Sequence, residues 1–198
     1  MILHTYIPYS NSTENITNLG AAYNAFMELV NEDDWVCFLD HDATFTTRDW
    51  HPHIVNTIKS NPEYGLFTCM TNRIGNPDQK FPEVDPNIHD ITYHRVVGSQ
   101  SQSQFKYQVD EASKIAPRLI SGVILVLNKK TWKITGGFEN GFLGVDNCMH
   151  ESCLQNNIKV GIMRGTYVYH WYRGDGNEAH IKLANQQNEN PWLKKYNR

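Results

Sequence analysis

The sequence predicts a single α/β domain over residues 1–198, with a mainly parallel central sheet flanked by helices. Three observations predict it. Short apolar runs alternate with segments of helical periodicity from the first residues to Thr71. The runs Trp35–Leu39 and Val123–Leu127 are continuously apolar, as strands covered on both faces are. The best of these runs stops abruptly on charge, at Asp40-His41-Asp42, where the carboxyl ends of strands in such sheets place ligands.

Taken in order, Ile2–Ile7 reads as a strand stopped by Pro8, and Ser10–Asn15 as a loop. Ile16, Leu19, Tyr23, Phe26, Met27 and Val30 recur at helical spacing. Trp35–Leu39 is the buried strand. A helix follows with Trp50, Ile54, Val55 and Ile58 on one face, ended by Asn61-Pro62. Gly65–Met70 is the next buried strand.

From residue 72 to 117 the chain is polar and carries Pro77, Pro82 and Pro86, so it reads as an excursion or lid with helix near Gln108–Ile115. Val123–Leu127 is a strand and Lys129–Thr135 a short helix. Gly136–Gly144 is turn-rich, Asp146 is placed to cap a helix reaching Asn157, and Lys159–His170 holds the last strands. The polar tail, 174–198, reads as mobile.

The chain has 198 residues and a net charge of −3, with 40% hydrophobic and 20% charged residues. That balance excludes a wholly disordered chain. It also argues against nucleic acid as partner, which needs a clustered basic excess. No apolar run reaches the ~18–20 residues of a membrane span. Cys37, Cys69, Cys148 and Cys153 form no CxxC pair, which points to free thiols, and no signal peptide is read. The expectation is a cytoplasmic protein, of a bacterium or a virus-infected host cell.

The chemistry concentrates in three places. In an extended segment Asp40 and Asp42 would point to one side, and two converging carboxylates call for a hard divalent cation, Mn²⁺ or Mg²⁺. Gly136-Gly137-Phe138-Glu139-Asn140-Gly141-Phe142-Leu143-Gly144-Val145-Asp146 supplies a glycine-rich turn with a carboxylate at a helix start, where the dipole favours the ionised form. His170 follows a strand among aromatics and becomes a ligand candidate if it meets the carboxylates. His150-Glu151 lacks the second histidine of a zinc-hydrolase motif and reads as helix surface.

The ordered set is a strand ending in DxD, Ser-Gly before a strand, GGF-x-x-x-F-x-G-x-D, and His-x-x-Arg. It resembles the GT-A-fold nucleotide-sugar glycosyltransferases. The likeness is to the family-2 group and to its polypeptide N-acetylgalactosaminyltransferase-like and β-1,4-galactosyltransferase-like relatives, over roughly Asn18 to Arg173.

The resemblance implies a GT-A (Rossmann-like) fold. Asp40 would face the ribose or a metal-bound water, Asp42 would bind Mn²⁺ (or Mg²⁺), and His170 would complete the metal site. Thr5, Tyr6 and Pro8 match the first strand and its nucleotide-facing loop. Asn18, Gly20 and Asn24 match the helix beneath the nucleotide, and Ser121 and Gly122 the small pair lining the sugar pocket. Arg173 would reach the diphosphate and Asp146 would act as general base.

The family's second strand, which ends in a base-reading Asp, has no counterpart between Ser10 and Thr17, so the nucleotide-binding half is abbreviated. The implied activity is transfer of a sugar from a nucleoside-diphosphate sugar, a UDP-sugar foremost, to a hydroxyl of a glycan, protein or small-molecule acceptor. Inversion is favoured over retention. The alternative is a nucleotide-sugar-binding protein without activity. A nucleotidyltransferase would want a glycine-rich basic loop, which Tyr6–Ser10 lacks.

Overall fold

The five-residue run Trp35–Leu39 forms β2 and is buried at every position. Side chains alternate across a strand, so such a run needs apolar layers on both sides, and the fold supplies them. Val36 and Phe38 join Tyr23 and Met27 in one core, whereas Trp35, Cys37 and Leu39 join Ile54 and Ile58 in another. The structure, a computed structural model, describes residues 1–8, 18–112 and 118–171.

The strands are β1 (Leu3–Tyr6), β2, β3 (Ala43–Phe45), β4 (Tyr64–Thr71), β5 (Val109–Glu111), β6 (Ile124–Asn128) and β7 (Lys159–His170). The helices are α1 (Leu19–Leu29), α2 (Trp50–Ser60), α3 (Ile91–Phe105), α4 (Lys129–Thr135) and α5 (Val145–Gln155). Among the described residues the seven strands make one sheet in the order β1-β2-β6-β4-β7-β3, with β5 also on β7. Helices α1, α3 and α5 supply residues to one core and α2 to the other.

The expectation of a mainly parallel sheet is corrected: the sheet is mixed. Only β1–β2 and β4–β7 pair in parallel among the described residues. β6 inserts antiparallel between β2 and β4, and β3 and β5 run antiparallel to β7. Even so, β1, β2, β4 and β7 share one direction, so their carboxyl ends line one edge. That edge carries Asp40 after β2 and His170 at the end of β7.

A second correction concerns residues 72–117. This stretch is no bare excursion. It holds a short 3₁₀ turn (Pro77–Gln79), the fifteen-residue α3 and β5. The helix placed near Gln108–Ile115 is instead strand at Val109–Glu111, and residues 113–117 lie outside the described residues. The buried side of α3 is small and polar: His94, Val97, Gly98 and Ser101. His94 pairs with Tyr167 Oη at 2.7 Å, and Ser101 Oγ donates to the Arg164 carbonyl at 2.7 Å. A Cβ on Gly98 would lie 2.1 Å from Thr46 Oγ1, so only glycine admits this approach.

The glycine-rich turn is fastened to α1. Asn24 Oδ1 accepts from Phe138 N and Trp132 Nε1, each at 2.8 Å, and Asn24 Nδ2 donates to Phe138 O at 2.8 Å. Asn18 Oδ1 accepts from Ala21 N, capping α1, and from Gly141 N, both at 2.9 Å. Gly20 packs so closely that a Cβ there would lie 1.8 Å from the Glu139 carbonyl oxygen. Phe138 then enters the aromatic cluster of Tyr23 and Phe38. All four cysteines are buried free thiols. No helix among the described residues is long and apolar enough to cross a membrane.

Candidate metal and acid–base site

The site grows from the turn that closes β2. Asp40 N donates to the Val123 carbonyl at 3.1 Å, and Ala43 N donates to the Asp40 carbonyl at 3.1 Å. Asp40-His41-Asp42 is therefore a turn into β3, and strand alternation is not what brings the carboxylates together. Trp171 N donates to the Asp42 carbonyl at 2.9 Å, and Ala43 stands opposite His170 in the β3–β7 ladder. These bonds tie the turn to the end of β7. His170 Nε2 lies 3.2 Å from Asp42 Oδ1 and 3.9 Å from Asp40 Oδ2. One ligand atom from each of the three residues falls within 4.8 Å of the others.

The imidazole is held from behind. His170 Nδ1 donates to the Arg73 carbonyl at 2.9 Å. A carbonyl only accepts, so Nδ1 carries the proton, and Nε2 is the nitrogen turned toward the carboxylates. Asn72 fixes the backbone of the same residue. Its Oδ1 accepts from His170 N at 2.8 Å, and its Nδ2 donates to His170 O at 3.2 Å. Asn72 and Arg73 follow β4 as Asp40 follows β2. Sequence reasoning missed them, although Asn72, a polar side chain closing a buried apolar run, was a usable signal.

Electrostatics separates the two carboxyls. Burial pushes Asp40 well above the usual range, and the charges of Asp42 and Asp146 add to the effect. Burial also opposes ionisation of Asp42, but the hydrogen bond and charge of His170, with the charge of His41, outweigh it and hold Asp42 low. His170 is 4% exposed, whereas the Asp40 and Asp42 side chains keep 32% and 22% of their surface. The cluster thus opens to solvent through its carboxylates. Two carboxylates and a pre-oriented imidazole around one point fit a divalent cation.

Asp146 approaches from α5. The helix N-cap is Gly144, at φ +75°, so the expected capping by Asp146 is corrected. Asp146 lies in the first turn and turns inward. Its Oδ2 accepts from Gly122 N at 2.7 Å and its Oδ1 from Asn147 N at 2.9 Å. A Cβ on Gly122 would lie 2.8 Å from Asp146 Cβ, which explains the glycine. Burial raises the Asp146 carboxyl more than these two hydrogen bonds lower it. The Asp40 and Asp146 charges both raise the buried Tyr23 hydroxyl, after burial itself.

The lead-in to β6 is sewn to α5 and to the 3₁₀ turn. Asn147 Nδ2 donates to Ile120 O at 2.9 Å, and His150 Nδ1 accepts from Ile120 N at 3.0 Å. His150 is 1% exposed, which corrects its reading as helix surface. Ser121 offers its main chain to Gln79, whose Oε1 accepts from Ser121 N at 2.7 Å and whose Nε2 donates to Ser121 O at 2.8 Å.

The site residues expected from sequence thus divide into two groups. Asp40, Asp42, His170, Gly122 and Asp146 are brought together. Asn18 and Asn24 spend their side chains on the glycine-rich turn. Thr5 is exposed, and the Tyr6 ring stacks on Phe26 at 4.5 Å, one strand away. Pro8 follows β1, and Arg173 lies outside the described residues. No protein-family model matches the chain, and no curated protein matches its sequence.

Proposed function

We propose that the chain is a GT-A-like, metal-dependent glycosyltransferase that moves a sugar from a nucleoside-diphosphate sugar, a UDP-sugar foremost, to an acceptor hydroxyl. The observation that carries the reading is the meeting of Asp40, Asp42 and His170 at the carboxyl edge of the sheet, with Asp146 within electrostatic reach of Asp40. Asp42 and His170 would hold the cation, with Asp40 as a further ligand or as the contact to the ribose. Two carboxylates and one imidazole suit Mn²⁺ better than Mg²⁺, because Mg²⁺ prefers oxygen ligands throughout. When bound there, the ion would neutralise the charge developing on a departing nucleoside diphosphate.

Asp146 would accept the proton of the acceptor hydroxyl. A carboxyl raised toward the working pH by burial is a better base than one at its ordinary value. Gly122 N and Asn147 N hold it in place for that task. An acceptor deprotonated by Asp146 attacks in line with the leaving group, which favours inversion of the anomeric carbon. Glycans, proteins and small molecules bearing a hydroxyl are the acceptor classes.

The reading is tested by release of nucleoside diphosphate from a panel of nucleotide sugars, with and without Mn²⁺ and with mixed acceptors. Mn²⁺-dependent release that is lost in Asp42→Asn supports it. Mn²⁺-dependent binding with no release from any donor would replace it by a nucleotide-sugar-binding protein.

A further inference from the structure

One edge of β7 is shared by two short strands. β5 lies beside Gly161–Met163, and β3 lies beside Val168–His170. Between them residues 164–166 leave the register: Met163 stands opposite Cys69, but Tyr167 already stands opposite Met70. At this seam lies a cleft of about 720 Å³, walled by the residues after β3, the start of α2 and the end of α3.

Its lining is unusually cationic for a chain of net charge −3. Arg48, Arg95 and Lys106 all face it, and none of them makes a salt bridge among the described residues. The one acid in the lining, Asp49, accepts from Gln102 Nε2 at 2.6 Å. His53 also lines the cleft. It is 6% exposed, and the Lys106 and Gly165 backbone lies against its ring.

The backbone here is strained. Lys106 ends α3 at φ +44°, ψ −118°, a conformation a residue with a side chain rarely holds. Its carbonyl oxygen packs where a Cβ on Gly165 would come within 1.9 Å, and the same Cβ would lie 3.1 Å from His53 Nε2. The missing Cβ, the strained Lys106 and the buried His53 therefore meet at one point.

We propose that this cleft binds a phosphate dianion, free or as a monoester. Two guanidiniums and an ammonium supply charge-assisted donors, and guanidinium forks match phosphate oxygens. The Tyr107 ring, 5.3 Å from that of His53, leaves an aromatic face for the organic part of an ester. None of these residues belongs to the Asp40, Asp42, His170 and Asp146 group, so the inference stands apart from the glycosyltransferase reading.

The test is calorimetric titration of the full chain, without divalent cations, with inorganic phosphate in one arm and glucose 6-phosphate in the other. Saturable one-to-one binding is expected, weakening as salt rises. The double variant R48Q/R95Q should lose about tenfold or more, as expected for charged hydrogen bonds, while Asp42→Asn leaves binding unchanged. Tighter binding of the ester assigns the site to monoesters, and equal binding assigns it to free phosphate. Lys106→Gln, checked by its melting temperature, repeats the test with one exposed side chain should the double variant not fold. Non-saturating binding in both arms would overturn the proposal. So would binding that survives both R48Q/R95Q and Lys106→Gln, or that disappears in Asp42→Asn.

Discussion

His170 Nε2 sits 3.2 Å from Asp42 Oδ1 because its Nδ1 is spent on the Arg73 carbonyl at 2.9 Å. That second bond fixes which nitrogen faces the carboxylates, and it comes from the backbone at the end of β4, a different strand. The site is therefore a product of the β4–β7 pairing as much as of the DxD turn.

Removing the amide that holds this histidine should loosen the site without removing a ligand. Asn72→Ala is expected to weaken Mn²⁺ affinity by about 10–100-fold, the usual effect of losing an outer-shell partner. Titration of Mn²⁺ by electron paramagnetic resonance reads this directly. Unchanged affinity would mean that the β7 ladder alone positions His170.

Asp146→Asn should lower turnover by ~10²–10⁴, the effect of a positioned base, with the nucleotide dissociation constant nearly unchanged. Gly122→Ala is an independent probe of the same geometry. Its Cβ would meet Asp146 Cβ at 2.8 Å and push the carboxylate away, so turnover should fall while Mn²⁺ binding stays. Near-normal turnover in a folded Asp146→Asn variant would remove the base role.

Asn24 is predicted to be structural. Asn24→Ala would leave Trp132 Nε1, Phe138 N and Phe138 O without partners, at a cost of about 2–4 kcal/mol. The midpoint of urea unfolding measures this. A cost near zero would show that the glycine-rich turn holds itself.

Buried His150 sets an acid limit. Burial pushes it down from 6.5 to about 4. Between those values the unfolded chain binds the proton and the folded chain does not, so stability falls as pH drops from about 6.5 toward about 4. This contributes a loss of about 2 kcal/mol between pH 7 and pH 5. The loss should be absent in a folded His150→Gln variant, when the two are compared by urea unfolding at both pH values.

Much of the fold was legible because burial on both faces leaves a plain mark. Trp35–Leu39 and Lys129–Thr135 fall where the sequence places them, the first as an unbroken apolar run, the second closed by Gly136 in the left-handed conformation. The direction of β6 was not legible, since an apolar strand has the same composition whichever way it runs. Helix α3 was missed because its buried side is His94, Gly98 and Ser101 with a single valine, held by hydrogen bonds and close approach and so without an apolar stripe. In the site, Asp40 and Asp42 stood out as charges ending an apolar run. The Arg73 carbonyl could not, because every residue has one.

On the proposed function, Asp40, Asp42 and His170 form a cation-dependent site for a nucleoside diphosphate. The most direct measurement is calorimetric titration of UDP into the chain with and without Mn²⁺, repeated on Asp42→Asn. Saturable binding is expected with Mn²⁺, little without it, and loss in Asp42→Asn while the melting temperature of the metal-free protein holds. UDP binding that is equal with and without Mn²⁺, and equal in Asp42→Asn, would contradict it.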